Sequence, residues 1–291
     1  MSQPLMPLEI DRDFSAKLIA IARSAGDAIL AIYNAPETSN IQSKSDDSPL
    51  TAADLAAHHL IASELPKLLA VPMISEESAV PSLAERKDWP AYWLIDPLDG
   101  TREFIARNGQ FTVNIALVVN GVSRLGVVHV PVTDETYFGV DEAIAADKQS
   151  HAEKYLAGNL QSNLRSRELA PRFAAREPLN ILMSVRHVGE EALALVGKLQ
   201  TRWPAPLQSL SAGSSLKFCW IAEGRADFYP RLAPTCEWDT AAAQAVLTAA
   251  GGLVVRADDL QPLCYNTKDS LLNPFFYALG DASFDWQSLL D

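Results

Sequence analysis

The sequence is poor in the residues that announce chemistry on their own. It has three cysteines in 291 residues, Cys219, Cys236 and Cys264, an odd number, far apart and without a Cys-x-x-Cys. That excludes a disulfide framework and a thiolate zinc site, and it points to reduced thiols acting as small apolar groups. The five histidines, His58, His59, His129, His151 and His187, show no metal-binding spacing. No apolar run reaches the roughly 18 residues of a membrane span, and Glu9, Asp11 and Asp13 stand where a signal peptide would carry its basic start. G-x-x-x-x-G-K-[ST], G-x-G-x-x-G and G-x-S-x-G are all missing, so triphosphate loops, dinucleotide folds and serine hydrolases have no support.

Cations are scarce as well. Lys plus Arg number 24 against 36 Asp plus Glu, a formal net charge of −12. Such a field repels nucleic acid and anionic membranes, although a soluble surface carries the same excess for its own reasons. An anionic substrate would need local cations. The expected location is the cytoplasm; a peripheral seat on the cytoplasmic face of the inner membrane has no amphipathic or basic segment to support it.

What is present is an ordinary globular composition, 48% hydrophobic, long enough for one large domain or two closely packed ones. Leu18, Ile21, Ala25, Ile29 and Ile32 form one face of a helix over residues 14–34, stopped by Pro36. After the polar "QSKSDDSP", Thr51-Ala-Ala-Asp54 has the form of a capping box opening a second helix to Leu69. Residues 111–119 alternate, Asn120-Gly121 supplies a hairpin turn, "RLGVVHVPV" returns, and a further β-pair is expected near Tyr137. Residues 141–178 lack an apolar stripe and are expected to form a surface helix or loop at a domain junction. Beyond them strands at 181–183, 207–210, 226–229 and 253–255 alternate with helices at 190–199, 215–223 and 239–250, a layered α/β rhythm. No internal repeat or low-complexity tract appears. The expected division is an N-terminal α+β domain, 1–140, and a C-terminal α/β domain, 141–291.

The informative stretch is "YWLIDPLDGTREF", residues 92–104. A buried strand ends in Asp96 and Asp99 with a Pro-x-Asp-Gly turn between strand and helix, which gathers carboxylates and carbonyls suited to hard cations. A plain β-turn would use the same residues for conformational reasons. Glu76 and Glu77 follow the apolar "VPMI", and Asp239 precedes a helix, so Glu76, Asp96, Asp99 and Asp239 can converge at strand ends. Each has a bland alternative: solvated charge for Glu76 and Glu77, helix capping for Asp54 and Asp239. A carboxylate cluster favours Mg²⁺ or Mn²⁺ over zinc, and two such ions suit in-line phosphoryl displacement. Gly100 and Thr101 offer backbone N–H groups, and "AGSSLKF" at 212–218 offers a helix start with Ser214, Ser215 and Lys217, a fair anion cradle or an ordinary cap. The nucleophile motif of haloacid-dehalogenase phosphatases spaces its aspartates one residue apart; here two intervene. Asp239-Thr240-Ala241 suggests an aspartic protease, but the helix-forming residues after it argue against that.

Together "SEES" at 75–78, "WLIDPLDGTREF" at 93–104 and "WDTAAAQAV" at 238–246 resemble the inositol monophosphatase-like superfamily of metal-dependent phosphatases. "SKSDDSPLTAAD", "RNGQFTVNIALV", "GSSLKFCWIAEGRADFYPR" and "LNPFF" are similar to its CysQ branch, the 3′(2′),5′-bisphosphate nucleotidases. The resemblance covers roughly residues 14–140 and 179–280. It implies an αβαβα sandwich, two or three Mg²⁺ ions with Mn²⁺ as a substitute, and hydrolysis of adenosine 3′,5′-bisphosphate to AMP and phosphate. It further implies metal ligands at Glu76, Asp96, the Leu98 carbonyl, Asp99 and Asp239, and a catalytic set of Asp54, Thr101 and Glu76. Substrate contacts would fall on Gly100, Thr101, Ser214, Ser215, Lys217, Arg231 and Asp239, in a monomer or weak dimer. Inositol phosphatases carry an acid just after the position of Tyr229, where this chain has Pro230-Arg231, which suits a second phosphate. The rival reading is an inositol or sugar-phosphate phosphatase. A third, a metal- or nucleotide-binding protein without turnover, is opposed by the intact acids and Thr101. Ala243 stands where the family has glycine and is expected to crowd the site.

Overall fold

The computed structural model describes residues 8–35, 42–43, 49–50, 52–183 and 189–290. Pro36, Thr51, His187 and most of the "SKSDDSP" stretch lie outside the described residues. Helix α1, Arg12–Tyr33, begins where Asp11 accepts the Phe14 N–H at 2.8 Å. A two-residue ladder, β1 (Gln42–Ser43) with β2 (Pro49–Leu50), precedes α2, Ala52–Leu68. Among the described residues no helix is long and apolar enough to cross a membrane.

A seven-stranded sheet follows in chain order: β3 (Met73–Ser75), then, after the short α3 (Leu83–Arg86), β4 (Ala91–Asp99). After α4 (Thr101–Ile105) come β5 (Thr112–Val119), β6 (Val122–Val130), β7 (Glu135–Val140), β8 (His151–Leu156) and β9 (Asn159–Asn163). The β5–β6 hairpin turns on Asn120 and Gly121, both left-handed with φ of 51° and 77°, the backbone a two-residue primed turn requires. The 141–178 stretch is only in part the expected surface helix or loop, because strands occupy its middle. It supplies β8 and β9 and then α5, Leu169–Ala174. All five residues of β9 are exposed, so edge pairing through the backbone leaves no apolar alternation in its sequence.

The second sheet has order β11-β10-β12-β14-β13. It contains β10 (Leu179–Leu182), β11 (Leu207–Leu210), β12 (Phe228–Arg231), β13 (Leu253–Arg256) and β14 (Phe276–Leu279). Between them run α6 (Glu190–Arg202), α7 (Leu216–Ala222) and α8 (Ala241–Ala249), with α9 (Trp286–Leu290) last. β14 had no strand signal of its own; it pairs antiparallel with both β12 and β13.

Three apolar clusters define five layers. Trp93, Ile95, Ile115 and Val127 pack with Leu18, Ile29 and Ile61 of α1 and α2. Tyr92, Leu94, Val128 and Tyr137, on the other face, meet α7 and α8 and the inner face of the second sheet. Ile181, Phe228 and Leu279 pack outward against Leu199 of α6 and Trp286 of α9. The order is therefore αβαβα, as the period-two strands and period-3.6 helices require once each apolar face is buried. Two glycines seat the middle layer. A Cβ on Gly126 would lie 2.0 Å from the Ala242 carbonyl oxygen, and one on Gly139 would lie 2.5 Å from Val246 Cα. Helix α8 thus rests directly on sheet backbone, and that contact fixes the height of the turn before it.

Candidate active site

The acids arrive from three places. Glu76 follows the last residue of β3, and its N–H donates to the Ile95 carbonyl at 3.2 Å, which ties it to β4. β4 does not end at Asp96 in a turn. It runs through Pro97 to Asp99, which pairs with Thr112, and the ladder slips its register between Asp96 and Asp99. That bulge is the structural form of the Pro-x-Asp-Gly signal, because proline brings no N–H to a ladder. Asp96 Oδ1 accepts the Leu98 N–H at 3.1 Å. Gly100, left-handed at φ 90°, then turns the chain into α4. The Thr101 hydroxyl lies 3.5 Å from the Leu98 carbonyl oxygen.

Asp239 sits in a 3₁₀ turn, Glu237–Asp239, and Oδ2 accepts the Cys236 N–H at 2.8 Å. The regular helix begins only at Ala241, two residues later than the sequence signal placed it. One carboxylate oxygen from each of Glu76, Asp96 and Asp239 lies within 4.8 Å of the others. Asp54, buried in the first turn of α2, adds its charge to those acting on Asp96. Burial first, then Glu76, Asp99, Asp239 and Asp54, hold the Asp96 carboxyl well above the usual carboxylate range. Asp239 is pushed up to about 8, again by burial first and then by Asp99, against the Cys236 N–H, which favours its charged form. Like charges gathered out of water are costly unless a cation joins them. The donors are oxygens alone, so the set fits a hard divalent cation.

Asp99 faces a different partner. Its Oδ2 accepts from the Ser215 N–H at 2.7 Å and from the Ser214 hydroxyl at 2.5 Å, and the Ser215 hydroxyl stands 2.9 Å away. Ser214 and Ser215 were expected to cradle substrate; they line the pocket, but their donors are directed at Asp99. Asn114 Nδ2 donates to the Ser215 hydroxyl at 3.0 Å, and the Thr112 hydroxyl lies 2.6 Å from that of Ser214. Sequence reasoning missed Thr112 and Asn114, although two polar residues on one face of an otherwise apolar buried strand are a readable signal.

Beside the acids a cavity of about 200 Å³ is lined by Asp99, Gly100, Ser214, Ser215, Lys217, Arg231 and Asp239, all expected site residues. Arg102 and Glu103 line it too and had not been singled out. Lys217 Nζ donates to the Ser214 carbonyl at 3.1 Å and lies 5.3 Å from the centre of the Tyr229 ring. Burial pushes its ammonium down to about 8. Arg231 Nη2 donates to the Pro234 carbonyl at 3.0 Å. Ala243, expected to crowd the site, is wholly buried in the middle layer and is not part of the lining.

The profile of the inositol monophosphatase family matches residues 11–280. The chain is 43% identical over 259 residues to the 3′(2′),5′-bisphosphate nucleotidase CysQ of Escherichia coli K12, covering 88% of this chain and 95% of that one. To its namesake from Haemophilus influenzae it is 34% identical over 284 residues, 97% and 98% of the two chains. Among solved structures, CysQ from Bacteroides thetaiotaomicron superposes with TM-score 0.74 at 38% identity, over 92% of this chain and 96% of that one. The Thermotoga maritima IMPase, at TM-score 0.67 and 21% identity over 94% and 93%, shares the fold.

Proposed function

This chain belongs to the inositol monophosphatase family, and from that premise we propose that it is a metal-dependent 3′(2′),5′-bisphosphate nucleotidase that converts adenosine 3′,5′-bisphosphate and water to AMP and phosphate. The observation that carries this reading is the adjacency of an all-oxygen acid cluster to a pocket holding Lys217 and Arg231.

Glu76, Asp96, the Leu98 carbonyl, Asp99 and Asp239 would hold two or three Mg²⁺ ions, with Mn²⁺ as a substitute. When bound, such cations supply positive charge to the transferring phosphoryl group and its attacking water. The chain's own residues do the rest. Asp54 and Thr101, with Glu76, orient the water and take up its proton as its oxygen attacks phosphorus and the bond to the ribose 3′ oxygen breaks. The Gly100 and Thr101 N–H groups receive the departing phosphate. Lys217 and Arg231 take the second phosphate, as a net charge of −12 demands of any site that must attract a polyanion. The seven-stranded half carries most of the metal ligands, and the second half contributes Asp239 and the cations. Free thiols at Cys219, Cys236 and Cys264 accord with a cytoplasmic setting.

Phosphate release from adenosine 3′,5′-bisphosphate and from inositol 1-phosphate, each with and without Mg²⁺, tests the reading. Magnesium-dependent preference for the nucleotide supports it. Preference for the inositol ester would keep the acid cluster and overturn the roles of Lys217 and Arg231.

A further inference from the structure

The turn that carries Asp239 is held from outside the acid cluster. Glu237, two residues earlier, is buried, and its two carboxylate oxygens lie 3.1 and 3.0 Å from the Asn266 N, whose N–H they accept. The Asn266 side chain faces the opposite way. Its Nδ2 donates to the Arg86 carbonyl at 2.7 Å, and its Oδ1 accepts from the Arg86 guanidinium. Arg86 is fully buried, and its other donors go to the carbonyls of Pro81, Lys268 and Asp269. A buried cation and a buried carboxylate are thus joined through one asparagine. The same strap returns further on: the Glu237 N–H donates to the Leu271 carbonyl at 2.8 Å, and Asn273 Nδ2 donates to the Cys236 carbonyl at 2.7 Å.

The strap connects the two segments whose acids must meet. Arg86 stands in the chain that follows Glu76, and Glu237 stands in the turn of Asp239. Carboxylates within 4.8 Å of one another repel, so their meeting cannot hold itself together. Something else has to fix both backbones. We propose that Glu237 is a positioning residue: anchored through Asn266 on Arg86, it sets the 237–239 turn so that Asp239 meets Glu76 and Asp96 around a cation. The inference rests on the acid cluster being the metal site.

The test is Mn²⁺ titrated into the metal-free full-length protein, read by calorimetry, with native packing checked by near-ultraviolet circular dichroism. Glu237→Ala is expected to weaken Mn²⁺ binding roughly 10- to 100-fold, as loss of a residue behind a metal ligand does. Glu237→Gln, which keeps an oxygen opposite the Asn266 N–H, is expected to recover most of the affinity. Leu199→Ala, in the outer layer, should lower stability and leave affinity unchanged. A folded Glu237→Ala with wild-type affinity would overturn the proposal, as would an equal loss in Leu199→Ala. If Glu237→Ala does not fold, Asn266→Ala decides, because it cuts the link to Arg86 and leaves the carboxylate; unchanged affinity there overturns it. Asp96→Asn separates the two levels. If wild-type Mn²⁺ binding does not respond to that change, the metal site itself is misplaced and the inference falls with it.

Discussion

Ser215 holds Asp99 with both of its donors in reach, the backbone N at 2.7 Å and the hydroxyl at 2.9 Å from the same carboxylate oxygen. The hydroxyl has one proton, and the Asp239 carbonyl, 2.8 Å away, competes for it. A residue of the second half therefore touches two acids that the chain places 140 residues apart, Asp99 and Asp239. Ser215→Ala should leave Asp99 the Ser215 N–H and the Ser214 hydroxyl, and it takes from the Asn114 amide its nearer acceptor, leaving Asp99 Oδ2 at 3.4 Å. Turnover is expected to fall about 10- to 100-fold with KM little changed, and stability by about 0.5–1.5 kcal/mol. Steady-state phosphate release and a thermal melt on one preparation check both.

Arg231→Glu separates the two phosphates. A lost charge-assisted contact is worth about 1.5–3 kcal/mol, so KM for adenosine 3′,5′-bisphosphate should rise roughly 10- to 100-fold or more. A phosphomonoester that lacks the second phosphate should change far less. Equal shifts in the two KM values would remove Arg231 from the substrate site.

The raised carboxyls make stability depend on pH in a direction opposite to the usual acid case. In the metal-free protein Asp96 and Asp239 keep protons that an unfolded aspartate would already have lost. Between about pH 4 and 8 the native state binds more protons, so its stability falls as pH rises through that window. Melts of the chelated protein at pH 5.5 and 8.5 should show the lower midpoint at 8.5. Divalent cations should release protons on binding and restore the midpoint most at the higher pH. Asp96→Asn should flatten this pH dependence, stabilise the chelated protein, and lower turnover by roughly a thousandfold or more, as loss of several kcal/mol of metal-assisted stabilisation implies.

Gly126→Ala probes the seat of α8. The added methyl would meet backbone, the Ala242 carbonyl at 2.0 Å, which cannot rotate away. A loss of about 3 kcal/mol or more is expected, at the upper end of overpacking costs, together with weaker cation binding as Asp239 shifts with its helix. Chemical unfolding and a cation titration measure the two effects; a wild-type result in both would deny the seat its role.

The residues themselves determined the elements whose local physics is strong. Alternation over 111–119 and the Asn120-Gly121 pair specify a hairpin whatever surrounds them. The spacing of Leu18, Ile29 and their neighbours specifies α1, while the acids of "IDPLDGT" point to an oxygen-rich corner only when counted with Glu76 and Asp239, since a plain β-turn uses the same residues. What pairs by backbone alone was not legible. β9 carries its hydrogen bonds on an exposed edge, and β14 is a strand because β12 and β13 stand on either side of it. Nor could chain order say which donors meet which acceptors. Ser214 and Ser215 read as a substrate cradle, and tertiary packing directs them at Asp99. Glu237 read as nothing in particular, and packing joins it through Asn266 to Arg86. Side-chain type travels with the sequence, but the convergence of Glu76, Asp96 and Asp239 is a matter of distance, set where five layers close and a glycine lets one helix lie against bare backbone.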